Sequence, residues 1–197
     1  MVPPKPQGGI GVDFIGIGIL VALGLFVVAT YNGLVKARQM VREAWSGIDV
    51  QLKRRADLIP NIVNTVKGYA AHETETLERV TEMRTRAQNV PAGDIAGRAA
   101  AEGMLSQALG RLMAVAEAYP DLKANENFRD LQGTLDKIEG ELQMARRYYN
   151  GAARDLNVKV ESFPSNLVAN TFKFEQVAYF EIEDAADRAV PQVSFDK

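Results

Sequence analysis

The stretch Tyr31–Glu73, YNGLVKARQMVREAWSGIDVQLKRRADLIPNIVNTVKGYAAHE, decides the fold. Stepping from Val41 alternately by four and three residues lands on Trp45, Ile48, Leu52, Arg55, Ile59, Ile62, Val66 and Tyr69. All but Arg55 are apolar or aromatic, and a stripe kept for four heptads predicts a helix that buries one narrow face along its length. The exception lies in KRRADLIPN, residues 53–61, where the register runs on through Pro60 without a slip.

Upstream of the stripe, Phe14 to Thr30 reads FIGIGILVALGLFVVAT and carries no charge. With Ile10 to Val12 and Tyr31 it reaches the ~20 residues that a bilayer-crossing helix needs. A cleaved signal peptide would want a basic start, a shorter apolar core and small residues before the cut. Here only Lys5 precedes the run, and the best cut, after Ala29, has Val27 before it, so an uncleaved transmembrane helix is the better reading. Lys36, Arg38, Arg42, Lys53, Arg54 and Arg55 follow the span, and the positive-inside rule then puts the body in the cytoplasm and the N-terminus outside.

Downstream, the pattern extends past Tyr69 through Val80 and Met83 until AQNVPAGD interrupts it, which predicts a first helix over about 34–88. Pro91 and Gly93 mark a turn, and Asp94 is placed to cap a helix opening at Ile95. That second helix shows Leu105, Leu109, Leu112, Ala116 and Tyr119 at alternating spacing and ends at Pro120. A third, from near Asn125, carries Phe128, Leu131, Leu135, Ile138, Leu142, Ala145, Tyr149, Ala152 and Leu156. No β pattern of useful length precedes Phe174, and the residues after it hold six acids against two bases.

The expected fold is therefore all-α: an N-terminal transmembrane helix, then an antiparallel bundle of three to four long helices, the first broken or kinked at Pro60. The expected segments are an extended tail over 1–9, the span over 10–31, the bundle over 32–163 and an acidic segment over 164–197. At ~1.5 Å per residue the first helix would be ~80 Å long, well beyond its partners at ~38 and ~55 Å. Either the chain reverses near Pro60 to make four helices, or a kinked helix continues and its membrane-proximal half is covered by the C-terminal tail or another subunit. A reversal needs turn chemistry that RRADLIPNIV lacks beyond Pro60 and Asn61, so the kink is favoured.

The 197 residues, 47% hydrophobic and 24% charged, suffice for one helical domain with a core. A formal net charge of -2 gives no reason to expect nucleic-acid binding. The absence of cysteine excludes disulfides, thiolate metal sites and cysteine nucleophiles. His72, the one histidine, stands in HETET without the second histidine at i+4 that a zinc helix would supply, so it reads as part of a polar helix face.

Tyr31 and Asn32, AWSGIDVQLKRRADLIPNIVNTVKGYAAHE over 44–73, RRYYN over 146–150, FPSNLVA over 163–169 and AYFE over 178–181, all in this order, resemble the LemA family of bacterial membrane proteins. The resemblance implies a single-pass protein with a short outward N-terminus and a helical-bundle body. It also favours four helices, and it supplies no catalytic residues to carry over.

No nucleophile–base set, phosphate loop or metal cluster is legible, so no enzyme, cofactor or small-molecule substrate is expected. The candidate interaction residues are Trp45, Arg54, Arg55, Asp57, Pro60, Asn61, Tyr149 and Asn150. Arg54, Arg55 and Asp57 are expected to pair across the bundle unless Arg55 snorkels to water, while Trp45, Tyr148, Tyr149 and Asn150 read as core with polar tips that need partners. The functional expectation is a membrane-anchored scaffold at the bacterial inner membrane, working by self-association or by holding a membrane-protein partner. The alternative is a membrane-shaping, lipid-contacting protein whose basic residues from Lys36 to Arg55 meet anionic headgroups.

Overall fold

The computed structural model describes residues 10–181, and side chains from Phe14 onward. The tail expected over 1–9 and the acidic end of the chain beyond residue 181 lie outside the described residues. All the regular structure among the described residues is helical: α1 (Ile10–Tyr69), α2 (Thr74–Gln88), α3 (Ile95–Glu117), α4 (Pro120–Ala124), α5 (Glu126–Glu161) and α6 (Ser165–Thr171). They form two compact units, 10–42 with 152–177 and 43–151 with 178–181, and α1 and α5 each contribute to both.

In the first unit the N-terminal part of α1 is apolar and bare: Phe14, Leu20 and Leu25 are 66–70% exposed. Among the described residues this is the one helix long and apolar enough to cross a membrane. Beyond Tyr31 the same helix begins to bury a face, with Leu34, Ala37 and Val41 inside. The end of α5 packs there, and Lys159 Nζ donates to the Gly33 carbonyl at 3.4 Å.

In the second unit the stripe is realised as a core seam: Ile48, Leu52, Arg55, Ile59, Ile62 and Val66 are at most 1% exposed. Trp45 is half-buried, and Tyr69 turns largely outward while Ala70 takes the inner place. As α1 rises from Trp45 through Arg54 to Tyr69, its contacts on α5 fall from Tyr149 through Glu141 to Asn125 at the head of that helix, so the two run in opposite senses here.

The expected single helix over 34–88 is corrected. The helix passes through Pro60 without reversing and stops at Tyr69; the chain turns back over Ala70–Glu73, and α2 follows. Four residues rich in alanine carry no local signal for a turn, so periodicity read across them. Tertiary burial decides the matter, because folding α2 back packs Leu77, Val80, Met83 and Ala87 into one core with Ile59, Ile62 and Val66. Polar contacts hold the turn, with Asn125 Nδ2 donating to Tyr69 Oη at 3.0 Å and Tyr119 Oη donating to Glu73 Oε1 at 3.2 Å. His72 thus lies in a turn and not on a helix face.

Asp94 caps α3, accepting the Gly97 N–H at 2.8 Å. A Cβ at Gly97 would stand 2.2 Å from the Asp94 carboxylate, and Gly93 has φ +91, so this corner requires both glycines. Asn125 caps α5 in the same way through the Phe128 N–H.

Candidate functional site

The eight residues singled out in the sequence do not assemble into one site. All lie in the second unit, where most of them form two clusters, one polar and one aromatic.

The polar cluster is centred on Arg55, which is fully buried. Its Nη2 donates to Ser106 Oγ at 2.7 Å and more weakly to the Glu102 carbonyl at 3.4 Å. Two carboxylates neutralise it: Glu139 of α5 lies 3.2 Å from Nε, and Glu102 of α3 lies 3.9 Å from Nη1. Glu102 is also buried and accepts from Arg98 Nε at 3.0 Å. Burial drives the Glu102 carboxyl above its ordinary value, with Arg55 and then Arg98 opposing the shift and Glu139 adding to it. No well-directed hydrogen bond reaches Arg55 Nε, Arg55 Nη1 or Glu102 Oε2, so the charges are paired at ion-pair range while part of their hydrogen-bonding capacity is unused. Arg54, next on the helix, reaches Glu141 of α5.

Arg55 therefore belongs to the bundle interior and does not snorkel. The partner of Arg54 and Arg55 is not Asp57, which faces solvent in a surface pair with Lys53. Chemically the cluster holds α1, α3 and α5 together. Ser106 accepts from a guanidinium, and with carboxylates bound to arginines the set offers neither an activated nucleophile nor an open metal-ligand group.

Pro60 is compensated from α2. Proline removes the N–H that would bond the Ala56 carbonyl, and Arg84 Nε donates to that oxygen instead at 2.6 Å. Asn61 faces solvent, its carbonyl accepting from Thr65 Oγ1.

The aromatic cluster joins Trp45, Tyr149 and Asn150 to the C-terminal segment. The Trp45 ring stands edge-on between Tyr149 at 5.5 Å and Phe180 at 5.6 Å, and Phe180 is fully buried. Tyr149 Oη donates to the Ala178 carbonyl at 2.8 Å, and burial pushes this phenol upward. Asn150 grips Phe180 at two points, accepting its N–H at 2.9 Å and donating to its carbonyl at 3.2 Å. An asparagine amide can replace both halves of a strand ladder in this way, and the grip satisfies the Phe180 backbone without a sheet. The first unit repeats the device: Asn157 holds Val177 by both its N–H and its carbonyl at 2.9 Å.

Sequence reasoning missed Arg84, Ser106, Glu102, Glu139 and Phe180. Each acts across a long sequence separation, and only the AYFE peptide carried any advance signal.

The chain is 27% identical over 184 residues to magnetosome protein MamQ 2 of Paramagnetospirillum magneticum, covering 81% of this chain and 68% of the relative. It is 24% identical over 200 residues to magnetosome protein MamQ of Magnetospirillum gryphiswaldense, covering 88% and 74%. It is 28% identical over 184 residues to protein LemA of Metamycoplasma hominis, covering 92% and 83%. None of these names denotes a reaction. With the bare apolar helix, they make this a membrane-associated helical protein. The LemA family profile matches residues 44–195, and the chain belongs to the LemA family.

Proposed function

We propose that the chain is a membrane-anchored scaffold without catalytic activity of its own. It crosses the bacterial inner membrane once, with the N-terminus outside, and presents in the cytoplasm an antiparallel helical bundle whose first helix bends at Pro60. The observation that carries this reading is that one helix, α1, supplies both the bare apolar run and the core seam of the second unit. Anchor and body are thus one element of structure, as suits a protein whose work is to hold something at a membrane.

Self-association and partner binding are the two forms the scaffold can take. The stripe around Trp45 is covered within the chain by Tyr149 and Phe180, which favours binding of a different protein through the body's outer surface. The mass of the detergent-solubilised protein tests this: a single-chain mass supports partner binding, and a defined oligomer restores self-association. Tubulation of vesicles by the purified protein would move the reading toward membrane shaping.

A further inference from the structure

We propose that the corner between α5 and α6 is a second membrane contact, in which Phe163, Leu167 and Phe172 insert into the interfacial layer of the bilayer beside the exit of α1. These side chains are 79%, 59% and 49% exposed, although three large apolar groups so close together are ordinarily buried. Their neighbours Val168, Ala169 and Phe174 are buried, so the segment has a packed inner face and a bare outer one.

The occupant of the outer face follows from where the corner sits within the first unit. The span needs about 20 residues to cross the hydrocarbon, which brings α1 to the surface near Tyr31. Phe172 packs on the Tyr31 ring with centroids 4.8 Å apart, so it lies at the depth where aromatic side chains favour the bilayer boundary. Lys159 bonds the Gly33 carbonyl, while Leu156 lines the same cleft as Arg38, Val41 and Arg42, so α5 runs toward the span as its numbers rise. Beyond Lys159 the helix continues toward the bilayer to Glu161, and Phe163 follows at once. The flanking charges are mixed, with Lys159 and Lys173 against Glu161, so the contact rests on apolar insertion and not on attraction to anionic lipid.

The proposal depends on α1 being a bilayer span, and its test separates the two. Single cysteines are introduced at Phe163, Leu167, Leu20 and Arg154 of the Cys-free full-length chain, labelled with an environment-sensitive dye, and reconstituted in phosphatidylcholine vesicles carrying lipid-bound quenchers. Leu20 reports the span, and Arg154 is an exposed site on α5 further from it. Labels at Leu20, Phe163 and Leu167 are expected to be quenched several-fold more than the label at Arg154. If Leu20 is quenched and Phe163 and Leu167 match Arg154, the second contact is overturned and the span stands. If Leu20 is not quenched, the span fails and takes the proposal with it. Cross-linking of Leu167→Cys to a second copy, with no quenching by lipid, would instead make the patch an interface between copies.

Discussion

The Nε of Arg84 donates to the carbonyl oxygen of Ala56 at 2.6 Å, and this bond from α2 replaces the one that Pro60 removes from α1. It explains how a proline can stand inside a helix whose seam stays in register on both sides. An interior proline costs about 3 kcal/mol, part of it from the orphaned carbonyl. Arg84→Ala is expected to destabilise the protein by about 1–3 kcal/mol, since Ala56 is buried and its oxygen would lose its partner. In a Pro60→Ala background the residue-60 N–H can serve that oxygen, so the Arg84→Ala loss should shrink. Chemical denaturation of the two single variants and the double variant measures the coupling; strict additivity would refute the compensation.

Arg55→Leu is expected to cost about 3–5 kcal/mol, because it leaves Ser106 without its donor, Glu139 without its cation and the buried Glu102 carboxylate with Arg98 alone. The double variant Arg55→Leu, Glu102→Leu should recover most of that loss, since both charges then leave the core together. A loss equal to or larger than that of Arg55→Leu alone would place the energy in packing and not in charge pairing.

Glu102 yields a pH dependence with a definite sign. Its folded-state value lies above that of an ordinary glutamate, so between the two the folded protein binds more protons than the unfolded chain, and stability falls as pH rises. Measured against Glu102→Gln, the wild-type protein should be relatively most stable below about pH 4.5 and should lose ground as pH climbs through the folded-state value. A difference that grows in favour of wild type with rising pH would reverse the sign and make the Arg55 and Arg98 pairings dominant.

Trp45 is the only tryptophan in the chain, so its fluorescence reports the docking of the C-terminal segment. Phe180→Ala should shift the emission to the red and destabilise the protein by about 3–5 kcal/mol. Asn150→Ala should produce a smaller shift in the same direction, because it frees the Phe180 backbone but leaves its ring. An unchanged spectrum in Phe180→Ala would mean that the segment does not cover Trp45 in solution.

The proposed topology, with the body in the cytoplasm, rests on the excess of Lys and Arg after the apolar run. A cysteine at exposed Gln88, in a chain with none of its own, should react with an impermeant thiol reagent only after the inner membrane is opened. Reaction in intact spheroplasts would invert the topology.

What the sequence determined by itself was the kind of structure. An uncharged run of spanning length, a four-three stripe and the cap residue Asp94 each act within a few turns of their own helix, where local physics is nearly complete. They made the all-helical class and the long apolar N-terminal helix readable, and they marked Arg55 as anomalous. What only the tertiary structure decided was who meets whom. Arg84 reaches Ala56 across 28 residues, Arg55 reaches Glu102 across 47, and Tyr149 reaches Ala178 across 29. The turn at Ala70–Glu73 belongs here too, because a helix-forming sequence turns back where doing so buries another stripe and supplies partners for its polar groups. Those gains depend on residues far along the chain, and no local window contains them.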